Sequence, residues 1–271
     1  MSLDAARAAW LAALRAGADV PPRRPRVPFR VGGHEVGSVE PDFLKAIALH
    51  CRDGVGQPLL TAESGGAGGW RLQGEPTPGL ALLANALRDA GLAHVWRNEQ
   101  LAVPDTTGQH VGTVERAVVR GLGLMTQAVH LVGLSADGRH WVQQRAFDKP
   151  NDPGLWDTLM GGMVAAVDTV QTALVRETWE EAGLRLEALR DVRHGGHVIT
   201  RRPCEDGGGA GYVVERIDWF VATLPDGLSP ENQDGEVACF ELIDEAELWR
   251  RLLGNAFTTE AALILAANLG N

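Results

Sequence analysis

Residues 176–184 read RETWEEAGL, an arginine and three glutamates within six positions of a segment with helical spacing. Helical residues three or four apart share a face, so Glu177, Glu180 and Glu181 project together beside Arg176. Like charges at that spacing cost about 0.2–0.5 kcal/mol per pair, and Arg176, four residues before Glu180, offsets only part of this. On these residues alone two readings stay open: a solvated acidic face with an internal ion pair, or hard oxygen donors held together for chemistry.

The surroundings narrow the choice. The run GGMVAAVDTVQTALVRETWEEAGL sets Gly162 six residues before Asp168, and Asp168 eight before Arg176. This resembles the Nudix box, GX5EX7REUXEEXGU with U a bulky aliphatic residue. Gly162, Arg176, Glu177, Glu180, Glu181, Gly183 and Leu184 match as they stand. Asp168 stands where the box has its first glutamate, and Thr178 replaces the aliphatic residue. The resemblance implies a loop–helix–loop site for Mg2+, with Mn2+ as an alternate. Such ions bridge a diphosphate, neutralise developing charge and activate water. It also implies close backbone approach at Gly161 and Gly162, an orienting role for Arg176, and a left-handed helix end at Gly183. Asp168 reads either as the cap of the following helix, paired with Gln171, or as an outer metal-site acid. Thr178 is expected to face the sheet. A fourth acid is expected from elsewhere: Glu236, just before a predicted strand, reads as metal ligand or base, or else as an exposed loop acid, with Asp234 and Glu241 as substitutes.

The segments FDKPNDPGLWDTLMGG, NQDGEV and PFRVGGHEVGSVEPDF extend the resemblance over nearly the whole chain. They are similar to a Nudix branch that joins an N-terminal α/β domain to the Nudix domain, and includes plant hydrolases and the Nudix part of fungal thiamine pyrophosphokinase. That branch implies hydrolysis of thiamine diphosphate, or its oxothiamine and oxythiamine analogues, to the monophosphate. Arg145 and Lys149 fall where the branch has basic residues and would neutralise a terminal phosphate, although solvated loop cations fit equally. Arg116 is a further ligand-recognition candidate. Trp70, Trp96, Trp141 and Trp156 are each able to stack on a flat ring or to fill the core, and none is singled out. His194 and His197, in RHGGH, read as loop residues rather than zinc ligands. The expected catalytic set is thus Glu181, Glu180, Glu236 and Arg176. The metal set is Glu177, Glu180, Glu181 and Glu236, and the substrate set Arg145, Lys149, Arg116, Gly161 and Gly162.

Three other functions stay in view. One is Nudix hydrolysis of a different nucleoside diphosphate derivative. Another is an isopentenyl-diphosphate-isomerase-like enzyme, which needs a catalytic cysteine that Cys204 and Cys239 are poorly placed to supply. The last is a ligand-sensing module without catalysis, disfavoured because such modules often lack the box glutamates present here.

The elements that must position these residues are legible as an α/β (α+β) pattern. An N-terminal amphipathic helix (Leu3, Trp10, Leu11 and Leu14 on one face) precedes the proline-rich ADVPPRRPRVPF. A hairpin turning at Gly32-Gly33, a helix starting at Pro41, a glycine-rich loop TAESGGAGGW and a helix ending at Gly91 complete a first domain, 1–111. From 112 to 271, strands around an SADGR turn, the acidic helix, a strand pair joined by PCEDGGGAG, and C-terminal helices predict a mixed sheet flanked by helices, the Nudix α/β/α sandwich. A net charge of −10 argues against nucleic-acid polymers and anionic membranes as partners, while the resemblance implies a small diphosphate as the substrate, with a homodimer compatible. Three widely spaced cysteines fit a reducing compartment, and charges inside the first helix oppose a secretory signal or a transit peptide, so the expected location is the cytoplasm.

Overall fold

The alternating run around Gly32-Gly33 forms the hairpin of the first sheet where the sequence places it. The computed structural model describes residues 3–63 and 68–270. Helix α1 (Leu3–Ala18) forms as expected; Trp10 and Leu14 pack against the interior, while Leu3 stays exposed. Strands β1 (Val27–Val31) and β2 (His34–Val39) make the hairpin, with Gly32 at φ 58°, a conformation that glycine adopts without strain. Helix α2 (Lys45–Ala48) is a single turn, so the helix expected from Pro41 is shortened: residues 41–44 form turns instead. The expected glycine-rich loop is narrower than its sequence suggests, because β3 (Leu60–Glu63) and β4 (Gly69–Leu72) take both flanks; residues 64–67 lie outside the described residues. Helix α3 (Pro76–Asp89) starts on Pro76, ends before left-handed Gly91, and buries Leu80, Leu83 and Leu87. The sheet order is β2-β1-β4-β3, with β1 and β4 parallel. Strands β5 (Gln100–Pro104) and β6 (His110–Glu115) form a separate antiparallel pair.

The second sheet starts at β7 (Met125–Ser135), followed by β8 (His140–Arg145), β9 (Trp156–Asp157) and β10 (Met160–Met163). Helix α4 (Val170–Ala182) intervenes before the long strands β11 (Arg190–Cys204) and β12 (Gly211–Leu224), then β13 (Val237–Ile243), α5 (Glu245–Leu253) and α6 (Thr259–Leu269). The order is β11-β12-β7-β8-β13, with β12 and β7 parallel, so the sheet is mixed as expected. One edge of β7 changes partner along its length: Ala128 to Leu131 pair with β10, whereas Gly133 and Leu134 pair with β8. The strands therefore part there, and a cleft opens. Alternation along β7 divides the core: Val129 and Leu131 face the α4 side, while Ala128 and Val132 face α5 and α6.

A division at 111/112 falls inside β6, whose backbone pairs with β5. The first hydrophobic cluster also continues through Leu122 and Leu124. Helix α1 departs from the sequence order altogether. Trp10 and Leu14 join the α5/α6 cluster, and the Trp10 ring meets the edge of Trp249 at 6.0 Å. Among the described residues no helix is long and apolar enough to cross a membrane.

Candidate active site

Helix α4 owes its ends to its sequence. Thr169, not Asp168, is the N-cap: its side chain accepts from the Thr172 amide while the Thr172 hydroxyl accepts from the Thr169 amide. The expected Asp168–Gln171 capping pair is thus displaced by one residue. Asp168 instead accepts from Thr172 Oγ1 at 3.0 Å and from Arg176 Nε at 2.9 Å, so its carboxylate serves the arginine. At the other end Gly183 is left-handed at φ 63°. Thr178 is fully buried, as expected of a residue facing the sheet.

The three glutamates are separated by their neighbours. Arg176 Nη1 reaches Glu177 Oε1 and Glu180 Oε2, each at 2.9 Å, and Nη2 donates to the Met163 carbonyl at 3.3 Å. Glu177 and Glu181 turn inward, and Glu180 stays half-exposed. Glu181 Oε2 accepts from the Gly161 amide at 3.0 Å and from Gln143 Nε2 at 2.9 Å; its other oxygen lies 3.8 Å from Lys149 Nζ. Lys149 also pairs with Glu236. The glycines make this approach possible. A Cβ on Gly162 would lie 2.1 Å from Glu177 Cδ, and one on Gly161 2.5 Å from the His130 ring.

Burial sets the electrostatics. It pushes Glu181 up to about 7 against the pull of Lys149, the Gly161 amide and Gln143. Glu177 is likewise pushed up to about 7, by burial and then by Glu181, with Arg176 opposing. Burial also acts on Glu236, but Lys149, Arg97 and Arg116 outweigh it and hold that carboxyl below its usual value.

Every residue expected to serve catalysis, metal or substrate lines one cleft of about 520 Å³. Arg145 lies there, held 3.4 Å from Asp157, and Arg116 lies there 2.7 Å from Glu99. Asp234 lines it too. Glu241 does not, because it pairs with Arg251 on the β13 side. Among the described residues no tryptophan lines the cleft: Trp70 is buried, Arg88 covers Trp96, Trp141 packs on the α4-side cluster, and Trp156 lies under Arg251. His194 and His197 lie on β11 rather than in a loop, with His194 3.4 Å from Asp218. A neighbouring hollow of about 650 Å³ shares Arg120, Asn151, Asp152 and Arg202 with the cleft but lacks the acidic helix, so the chemistry belongs to the smaller space.

The sequence reading missed Gln143, which holds Glu181 from β8, and Arg97, which enters from the first unit. Neither carries a spacing signal. Among the described residues no three His, Cys, Asp or Glu side chains form a ready metal cage. The donors nevertheless suit a hard dication. The four glutamates of the expected metal set share the cleft with further carboxylates, and burial raises Glu177 and Glu181 to about 7, so an added positive charge would stabilise their ionised forms. Magnesium commonly takes only one or two carboxylates and fills its shell with water and substrate phosphate.

A mixed sheet between α4 and the α5/α6 pair, with a box of acids at the parting of β7, β8 and β10, defines an α/β/α sandwich with an acid-lined cleft. Residues 125–262 match the family model described as the NUDIX domain, and the chain belongs to the Nudix family. It is similar to Nudix hydrolase 24, chloroplastic, of Arabidopsis thaliana: 30% identical over 181 residues, covering 64% of this chain and 48% of that protein. An uncharacterized protein of Saccharomyces cerevisiae is 26% identical over 187 residues, covering 63% of this chain and 53% of its own length. The chain thus spans about half the length of these curated relatives. The crystal structure of DR0079 from Deinococcus radiodurans shares the fold, with a TM-score of 0.50 at 18% identity, covering 63% of this chain and 98% of that one.

Proposed function

We propose that the chain is a divalent-cation-dependent pyrophosphohydrolase, working with Mg2+ or, in its place, Mn2+, on a small diphosphate. The reading is carried by the convergence of Glu177, Glu180, Glu181 and Glu236 with Lys149 and Arg116 on one cleft. The four glutamates would hold the dication. When bound, it supplies charge neutralisation on the diphosphate and a water of lowered pKa. Arg176 fixes Glu177 and Glu180 in their rotamers, and its pairing with Asp168 fixes Arg176 in turn. Gln143 and the Gly161 amide both bind Glu181 Oε2, which leaves Oε1, 3.8 Å from Lys149 Nζ, as the acceptor for a water proton. Arg116, Arg145 and Lys149 line the path a phosphate would take.

We further propose thiamine diphosphate, or an oxidised analogue, as the substrate. This rests on the likeness of the segments before and after the box to the thiamine-linked Nudix branch. With no tryptophan in the cleft, its ring would be read by polar side chains. In the domain organisation proposed with it, an N-terminal α/β domain precedes the Nudix domain, with the seam near residue 124 and α1 docked on the second domain.

The test is a panel of thiamine diphosphate, oxothiamine and oxythiamine diphosphates, nucleoside diphosphate sugars and damaged dNTPs, incubated with Mg2+ and scored by product. Monophosphate release from the thiamine group is expected. Cleavage of the others alone would remove the thiamine assignment and keep the hydrolase; no cleavage of any diphosphate would remove both.

A further inference from the structure

Nearly all cations that line the cleft are already engaged. Arg116 pairs with Glu99 at 2.7 Å, Arg120 with Asp206 at 3.5 Å, Arg145 with Asp157 at 3.4 Å and Arg202 with Glu260 at 2.9 Å. Lys149 and Arg176 hold the box acids. Among the described residues, Arg97 is the one cleft-lining cation with no carboxylate within 4.0 Å, and it is exposed. Its fork of donors is therefore free for an arriving anion.

The backbone that carries Arg97 is firmly placed. Asn98 sits at φ 56°, an uncommon conformation for a residue other than glycine, held by a bond from Trp96 Nε1 to Asn98 Oδ1 at 3.0 Å. Arg88 covers the Trp96 ring at 4.3 Å. The Arg97 amide donates to Glu115 Oε1 at 2.9 Å, and Glu115 is buried, so this acid anchors the main chain and leaves the guanidinium free. The whole segment is tied to the box loop. The Ala166 amide donates to the Gln100 carbonyl at 2.7 Å, and Leu101 bridges Ala165, three residues ahead of Asp168. The first unit is thus a fixed wall of the cleft.

We propose that Arg97 is the arm by which this wall binds the terminal phosphate of a diphosphate monoester, which makes it a specificity residue for monoesters over diphosphate diesters. This rests on the pyrophosphohydrolase reading. A terminal phosphate carries up to two charges and three free oxygens, which match a guanidinium fork; a diester offers only singly charged, flanked phosphates. Because the other cations are paired, an incoming dianion gains most from the unpaired one.

The experiment compares wild type, Arg97→Ala and Arg97→Lys in two assays. One is steady-state kinetics on a monoester (thiamine diphosphate, or ADP) and a diester (ADP-ribose). The other is calorimetric binding of methylenediphosphonate, which is not hydrolysed. In Arg97→Ala, monoester KM and the methylenediphosphonate Kd should each rise by about tenfold or more, while kcat and the diester KM stay within about threefold. Arg97→Lys should recover part of the loss. Unchanged monoester KM and Kd, an equal loss on both ester types, or a wild type that does not bind methylenediphosphonate would each overturn the assignment. If wild type hydrolyses nothing yet Arg97→Ala still weakens methylenediphosphonate binding, the anion site stands and the hydrolase reading falls.

Discussion

In the metal-free protein the fold prefers Glu181 protonated, and Glu181→Gln exposes that preference. Burial raises the carboxyl from 4.5 to about 7. A group whose pKa is higher folded than unfolded favours folding most below the unfolded value, and that advantage is lost as pH rises through the folded one. At 1.36 kcal/mol per pH unit, ionised Glu181 costs about 3 kcal/mol of stability by pH 8 but only about 1 kcal/mol at pH 5.5. The neutral amide carries no such dependence, and its oxygen can keep the Gly161 and Gln143 bonds. In EDTA, the variant should therefore melt above wild type by a margin that widens from pH 5.5 to pH 8. The extra 2 kcal/mol or so corresponds to about 4–8 °C in a chain of this size. Saturating Mg2+ should raise the wild-type Tm, most at high pH, and close the gap, because a ligand of the folded state stabilises it. The assay is calorimetric or fluorimetric melting at three pH values with EDTA or Mg2+, alongside phosphate release, which the variant should mostly lose. A margin that is constant with pH, or a wild type that melts above the variant at pH 8 in EDTA, would refute the account of Glu181 as a desolvated anion awaiting a dication.

Gly162→Ala would put a methyl group onto the Glu177 carboxyl, 2.1 Å from Cδ, and should lower kcat by about 100-fold, as misplacement of a catalytic group by an ångström does; the measurement is steady-state kinetics on protein of unchanged circular dichroism. Asp168→Asn would remove the charge that orients Arg176 and should cost about tenfold in kcat, with partial recovery in Asp168→Glu, in the same assay.

The box was readable because its logic is local. Helix geometry alone aligns Glu177 with Glu181 and Arg176 with Glu180, and the glycines mark close approaches by their lack of a side chain. Asp168 shows the limit of that logic: the cap fell one residue later, at Thr169, because a Thr169–Thr172 pair satisfies both amides and frees the aspartate for Arg176. Gln143 and Arg97 were invisible for a different reason. Each is a lone polar residue whose role depends on a contact far along the chain: β8 to α4 for one, the first unit to the box loop for the other. The change of partner along β7, which opens the cleft, is a matter of sheet register, and alternation within a single strand says nothing about its neighbours.

The docking of α1 has a topological consequence. Helix α1 lies on one body, the chain then crosses to build the other and returns, so α1 rests against α6. The Val20 amide, at the start of the proline-rich strap, donates to the Arg201 carbonyl at 2.7 Å. Cutting that strap would leave the leading helix clasped by Trp10 and Leu14, held without a covalent link.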